Sequence, residues 1–172
     1  MNDLAPPKLF LDTSLIIASI LSESSASPGL RLFKMGEVGL IDLRVSHDVI
    51  RECEGVLRGL AGEQYPEFQV MLAENLVLAN VTTTSDPSSG TVQKCVHITK
   101  YAPDAKVLAA AIDDDCEVLV AYDKEHLLHN PAIGPPNTRL VVMSGREAID
   151  WALDQVSTRS RLRHERDRRR KS

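Results

Sequence analysis

"KLFLDTSLIIASIL" (residues 8–21) decides how this chain is read. "KLFL" (8–11) has the length and apolar character of a buried strand, and Asp12-Thr13-Ser14 ends it abruptly. A helix-period apolar segment follows at about 14–22. Strand, polar turn, helix is one βα unit, and the pattern repeats. "GLIDLRV" (39–45) is followed by Ser46-His47-Asp48 and another helical segment. "EVLVAY" (117–122) stops at Asp123, and "TRLVVM" (138–143) is the last strand. "LVLANV" (76–81) reads as a weaker one. Helices are predicted at about 14–22, 28–37, 46–60, 63–75, 88–99, 104–115 and 144–157. "TTTSDPSSG" (82–90) and "HNPAIGPPN" (129–137) are loops. Strands alternating with helices predict an α/β fold with a parallel sheet covered on both faces and right-handed crossovers.

The 172 residues suit one domain, and 43% apolar content fits a globular protein. No apolar stretch approaches the roughly 18–20 residues of a membrane span. "MNDLAPPKLFLDTSLIIASIL" lacks a positive n-region and is interrupted by Asp12, so a secretory signal is not expected. Cys53, Cys95 and Cys116 form no CxxC or Cys/His cluster, as expected of reduced core thiols in a cytoplasmic protein. His47, His97, His126, His129 and His164 have no ligand spacing. No glycine-rich phosphate loop is present, which argues against a nucleotide cofactor.

Charge is unevenly spread. The whole chain has 20 basic and 24 acidic residues. The last 14 hold Arg159, Arg161, Arg163, Arg166, Arg168, Arg169, Arg170 and Lys171 against Glu165 and Asp167, a net of +6. Residues 1–158 keep twelve basic and 22 acidic residues, a net of −10. We therefore divide the chain into a domain at 1–158 and a basic tail at 159–172, expected to be disordered or partly helical. Those eight cations are candidates for binding nucleic-acid phosphates. They lack interleaved aromatics, so base stacking is not implied.

In an open parallel sheet, chemistry collects beyond the carboxyl ends of the strands. Acids dominate those positions here, and each has a local alternative role. Asp12 fits a helix N-cap, with Thr13 and Ser14 as rivals. Glu52 and Glu54 fall on opposite borders of the stripe Val49, Ile50, Cys53, Val56, Leu57, Leu60, and the helical wheel does not choose between them. Asp104 opens the core-facing series 104, 107, 108, 111, 112, or caps its helix after Pro103. Asp113–Asp115 reads as a helix stop. As a set the acids are harder to explain locally. Two like charges at about 4 Å repel by roughly 4 kcal/mol at an effective dielectric of 20. Oxygen-only ligands point to hard ions, Mg2+ or Mn2+, and so to phosphoryl transfer.

"LFLDTSLIIASIL…SPGLRLFKMGEVGLIDLRVSHDVIRECEGVL" and "PDAKVLAAAIDDDCEVLVAYDKEHLL" together resemble PIN domains, nucleases common among bacterial toxin–antitoxin toxins. The resemblance covers most of 7–153. It implies a three-layer α/β/α sandwich with sheet order 3-2-1-4-5, and a metal-dependent ribonuclease. The family's four acids fall on Asp12, Glu52, Asp104 and Asp123. Glu52 is preferred to Glu54 because it stands four residues before Val56-Leu57. Ser14 falls where the family has a small polar residue that orients the site. Departures are Ala121 in place of a frequent Thr, "KYAPD" before the third acid, and Glu125 where Asp is frequent.

What the resemblance implies is RNA as substrate, a small antitoxin partner, and a possible homodimer. The alternative is a non-catalytic PIN-like module that binds RNA or protein. A receiver-like phospho-acceptor domain fits less well, since "LFLDTS" offers one acid and "TRLVVMSG" no Lys.

Overall fold

The computed structural model describes residues 5–122, 127–135 and 137–171, with side chains through residue 169. Among these residues the chain runs β1 (Lys8–Leu11), α1 (Thr13–Ile20), α2 (Pro28–Glu37), β2 (Asp42–Val45), α3 (His47–Ala61), α4 (Tyr65–Leu78), β3 (Thr82–Thr83), α5 (Ser89–Thr99), α6 (Ala102–Asp113), β4 (Val118–Val120), β5 (Val141–Met143) and α7 (Gly145–Lys171). The strands form one sheet of order β3-β2-β1-β4-β5, every pair parallel. This is the predicted α/β architecture and strand order.

Burial explains the sheet's centre. Leu9, Phe10 and Leu11 of β1 and all of β4 are fully buried, as strands covered on both faces must be. α1 packs on α2 and α3, and α3 on α4. α6 lies against β4 and α5, while α7 packs on β4, β5 and α2. The small side chains of Ala105, Ala109, Ala110 and Ala111 are all buried, which lets α6 sit close to its neighbours.

Two elements differ from expectation. The strand expected at 76–81 is instead the end of α4 and its exit. Tyr65, Phe68, Leu72 and Leu76 carry helical spacing onto the core, and Ala79 completes it. The helix stops at Asn80, whose φ is +53°. The Asn80 N–H donates to Val77 O and the Val81 N–H to Leu76 O, a Schellman closure. β3 follows later and is only two residues long.

The second difference is at the C-terminus. The helix expected to end at about 157 continues without a break to Lys171, through the segment expected to be disordered or partly helical. Arginine is a good helix former, and nothing between 145 and 171 is Pro, with Gly only at the first position. The change at 158 is one of composition, not of backbone.

Candidate active site

Asp12 follows β1 directly, and its N–H donates to Val120 O at 3.0 Å, extending the β1–β4 pairing to the acid. β1 lies between β2 and β4, so Asp12 stands where the strand order reverses. Its carboxylate caps α1, accepting from the Ser14 N–H at 3.1 Å and the Ser14 hydroxyl at 2.5 Å. The residue is 6% exposed. Burial raises the Asp12 carboxyl above its ordinary range, the Ser14 hydrogen bonds oppose that rise, and the charge of Glu52 adds to it. Capping α1 therefore leaves the Asp12 carboxylate buried and within reach of the charge of Glu52.

Ser14 does more than hold Asp12. Its Oγ accepts from the Tyr122 N–H at 3.0 Å, tying the end of β1 to the end of β4. Tyr122 immediately precedes Asp123. Asp123 itself, with Glu125 and His126, lies outside the described residues.

Glu52 comes from the first half of α3. Its Oε2 accepts from the Thr13 hydroxyl at 2.7 Å, which turns Glu52, not Glu54, toward the Asp12 turn. The helical-wheel tie is thus broken by a tertiary contact. The buried stripe of α3 is narrower than expected: Val49, Cys53 and Leu57 are buried, while Val56 and Leu60 are exposed. Cys53 registers the negative charge nearby. Its thiol is pushed up to about 12, first by burial and then by Glu52 and Asp12. Among the described residues, Asp12 and Glu52 form no ion pair with Lys or Arg.

Asp104 is the third residue of α6, not its cap, because the helix begins earlier, at Ala102, with Pro103 in its first turn. It is half-buried. A carboxylate there is favoured by the helix dipole. Ala102, Pro103, Lys106 and Val107 of α6 face Asp48 and Glu52 of α3 across a cleft of about 230 Å3. Lys106 pairs with Asp48 at 3.9 Å on its rim. A larger cavity, about 350 Å3 beside Cys95, Ile98, Cys116 and Leu140, is lined by none of Asp12, Glu52 and Asp104.

The structure thus brings Asp12 and Glu52 together, with the first turn of α6 across the cleft. Among the described residues no three His, Cys, Asp or Glu side chains group as a metal cage. The donors among the described residues are carboxylate and hydroxyl oxygens, and Asp12 is a buried carboxylate with no side-chain cation among them to neutralise it. That chemistry fits a hard divalent ion. Sequence reasoning missed Thr13 as a partner of Glu52, and Asp48 and Lys106 as cleft walls. No local signal marks them, because Thr13 and Glu52 are 39 residues apart.

The basic residues lie elsewhere. Arg159 is not a solvated tail residue: its guanidinium donates to Glu117 Oε2 and to Ala5 O, both at 2.5 Å, beside the starts of β4 and β1. Arg159, expected as a nucleic-acid contact, is thus also held within the fold. Arg161, Arg163, Arg166, Arg168 and Arg169 are exposed, and the side chains of Arg170 and Lys171 lie outside the described residues.

The three cysteines are free and buried. No helix among the described residues is long and apolar enough to cross a membrane.

Comparison with known proteins adds three findings. The model of the PIN domain family matches residues 8–125. No curated protein matches the chain. Among solved structures, PAE2754 from Pyrobaculum aerophilum aligns with TM-score 0.61 at 16% identity, covering 86% of this chain and 96% of that one. VapBC2 from Rickettsia felis, solved bound to a promoter DNA fragment, gives 0.60 at 12% identity, over 80% and 98%. VapC20 from Mycobacterium tuberculosis, a Sarcin-Ricin loop cleaving toxin, gives 0.51 at 15% identity, over 69% and 92%.

Proposed function

This chain belongs to the PIN domain family, and from that premise we propose that it is a metal-dependent ribonuclease, the toxin of a toxin–antitoxin pair. The observation that carries the reading is Asp12. It is a buried carboxylate at the switch point, joined to Glu52 through Thr13, and no side-chain cation among the described residues neutralises it.

In this reading Asp12, Asp104 and Asp123 hold one or two Mg2+ or Mn2+ ions, with Glu52 ligating or orienting. Held by these residues, such an ion would supply polarisation of an RNA phosphodiester and a lowered pKa for the attacking water. The chain's own residues supply positioning. Ser14 fixes the Asp12 carboxylate and the backbone at Tyr122, one residue before Asp123. Thr13 occupies one oxygen of Glu52 and leaves the other without a protein partner among the described residues. Ala121 is fully buried, so a frequent family hydroxyl is missing beneath the site, which bears on rate rather than on the acid set.

RNA as substrate rests on the family. An antitoxin partner is supported by the likeness to VapBC2 and to FitAcB from Neisseria gonorrhoeae, the latter at 15% identity and TM-score 0.56 over 80% of this chain and 98% of that one. The α3–α4 hairpin exposes Val56, Leu60, Val70, Met71, Val77 and Leu78, apolar surface that suits a protein partner, antitoxin or second copy. Three unpaired buried thiols suit the cytoplasm.

The test is cleavage of end-labelled RNA by the purified protein, with and without Mn2+ and with Asp12→Asn. Cleavage that needs the metal and Asp12 supports the reading. Cleavage indifferent to both removes it, and RNA binding without cleavage leaves the non-catalytic alternative.

A further inference from the structure

One cation stands in the acid cleft. Asp48 and Glu52 lie one turn apart on the same side of α3, and Ala102, Pro103, Lys106 and Val107 form the facing wall on α6. Lys106 is the one basic side chain among the described residues that line this cleft. Its partner is Asp48, at 3.9 Å across the gap. The pair thus bridges the two helices that carry Glu52 and Asp104.

As a strut this bridge is weak. The side chains are 57% exposed at Lys106 and 35% at Asp48, and an ion pair in that much solvent contributes little to stability. Its 3.9 Å separation is longer than a charge-assisted hydrogen bond. Asp48 also has a closer partner in Arg51, one turn along α3. Lys106 can therefore leave without stranding the Asp48 carboxylate. The resting contact is exchangeable.

What it exchanges for follows from charge. A polyanion entering this cleft meets Asp48 and Glu52, with Asp12 joined to Glu52 through Thr13. Like charges a few ångströms apart repel strongly wherever water is partly excluded. Compensation at Asp12 alone leaves the α3–α6 rim acidic, and Lys106 is the group placed to offset it. A lysine ammonium is a compact point charge on a flexible stem, able to swing from a carboxylate to a phosphate oxygen. Asp48 and Glu52 are about 6 Å apart along the helix, comparable to the step between successive phosphates of a single strand. Lys106 therefore stands one phosphate away from the position that Glu52 faces. The rest of the α6 wall is apolar, so Lys106 is the polar hold on that side.

We propose that Lys106 binds the RNA phosphate next to the scissile one, and that Asp48 holds the same ammonium in the free protein. Substrate and Asp48 then compete for one cation. The proposal rests on the ribonuclease reading for the identity of the polyanion, and it adds a substrate-binding residue to the four acids.

The test measures binding of a labelled 20-nucleotide RNA by fluorescence anisotropy across a salt series, in Asp12→Asn protein so that nothing is cut. Steady-state cleavage is followed in parallel in protein that keeps Asp12. Lys106→Gln is expected to weaken binding about tenfold. It should also lower the salt slope by about 0.7, one phosphate contact on a single strand. In cleavage it raises KM and leaves kcat nearly unchanged, as loss of uniform binding does. Lys106→Arg keeps the charge and restores affinity. Asp48→Asn acts in the opposite sense. It removes the competitor and tightens binding, and the gain disappears when Lys106→Gln is added. A strut would instead give a loss in both single variants, each with a lower melting temperature, and that result overturns the proposal. So does an RNA affinity unchanged by Lys106→Gln, or a gain from Asp48→Asn that survives without Lys106 and so assigns the phosphate to Arg51. Lys106-dependent binding in a wild-type chain that shows no Mn2+-dependent cleavage upholds the clamp and sinks the nuclease. Mn2+-dependent cleavage with a KM indifferent to Lys106→Gln sinks the clamp alone.

Discussion

At the residue scale, the site is two hydroxyl-to-carboxylate contacts and one buried charge. Because burial lifts the Asp12 carboxyl above its unfolded value, the native state holds a proton more tightly than the unfolded chain does. The native state then binds more protons than the unfolded chain, so Asp12's contribution to stability falls as pH rises from the unfolded value through the folded one. Asp12→Asn keeps an oxygen to accept from the Ser14 N–H and removes the buried charge. In metal-free buffer at neutral pH it is expected to melt no lower than wild type, with the gap closing toward pH 4; a lower melting temperature at pH 7 contradicts this. Thr13→Val removes the donor that fixes Glu52 and is expected to lower kcat about tenfold in Mn2+, with a stability loss of only about 1 kcal/mol. Unaltered turnover in that variant would show that Glu52 needs no such restraint. Sequence could place acids at strand ends but could not choose Glu52 by its own pattern. The choice is made by a hydroxyl 39 residues away, and a helical wheel contains no tertiary partner.

At the element scale, what was legible was whatever a local period encodes. α2 falls on Pro28–Glu37 as expected, because Ser27 caps it, Pro28 opens it and its apolar side is well separated. "LVLANV" misled because a six-residue apolar run is consistent with either a strand or the end of a buried helix. The decision came from Tyr65, Phe68 and Leu72 upstream, and from Asn80 accepting the left-handed conformation of the cap. That helix end is accommodated by Gly36 on α2, where a Cβ would come within 2.5 Å of Ala79 O and 2.7 Å of Leu43 Cδ1. Gly36→Ala is expected to cost about 1–3 kcal/mol, since the nearest atom is backbone and cannot rotate away. Urea denaturation checks it, and a midpoint equal to wild type would mean that α2 and α4 are looser than drawn. α7 ran past its expected end for a related reason. The hydrophobic period that marks a helix stops where the arginines begin, while the backbone preference does not.

At the scale of the whole molecule, Asp12 and Glu52 stand beyond the carboxyl ends of the strands, and the arginine-rich end of α7 is fastened at the opposite end by Arg159 to Glu117 and Ala5. Arg159→Ala leaves Glu117 half-buried beside the start of β4 and is expected to destabilise the chain by about 1–3 kcal/mol. Amide hydrogen exchange should localise the loss to the second half of α7; a uniform change across the sheet would argue against a clamp. The central claim concerns the other end, where distant segments deliver carboxylates to a shared divalent ion. Titration calorimetry of Mn2+ into the metal-free protein tests it most directly, comparing wild type with Asp12→Asn, Asp104→Asn, Asp123→Asn and, as a control, Glu54→Gln. The account requires that each of the three aspartate changes weaken binding at least tenfold while Glu54→Gln leaves it as in wild type. Mn2+ binding of equal affinity in wild type and Asp12→Asn would contradict it.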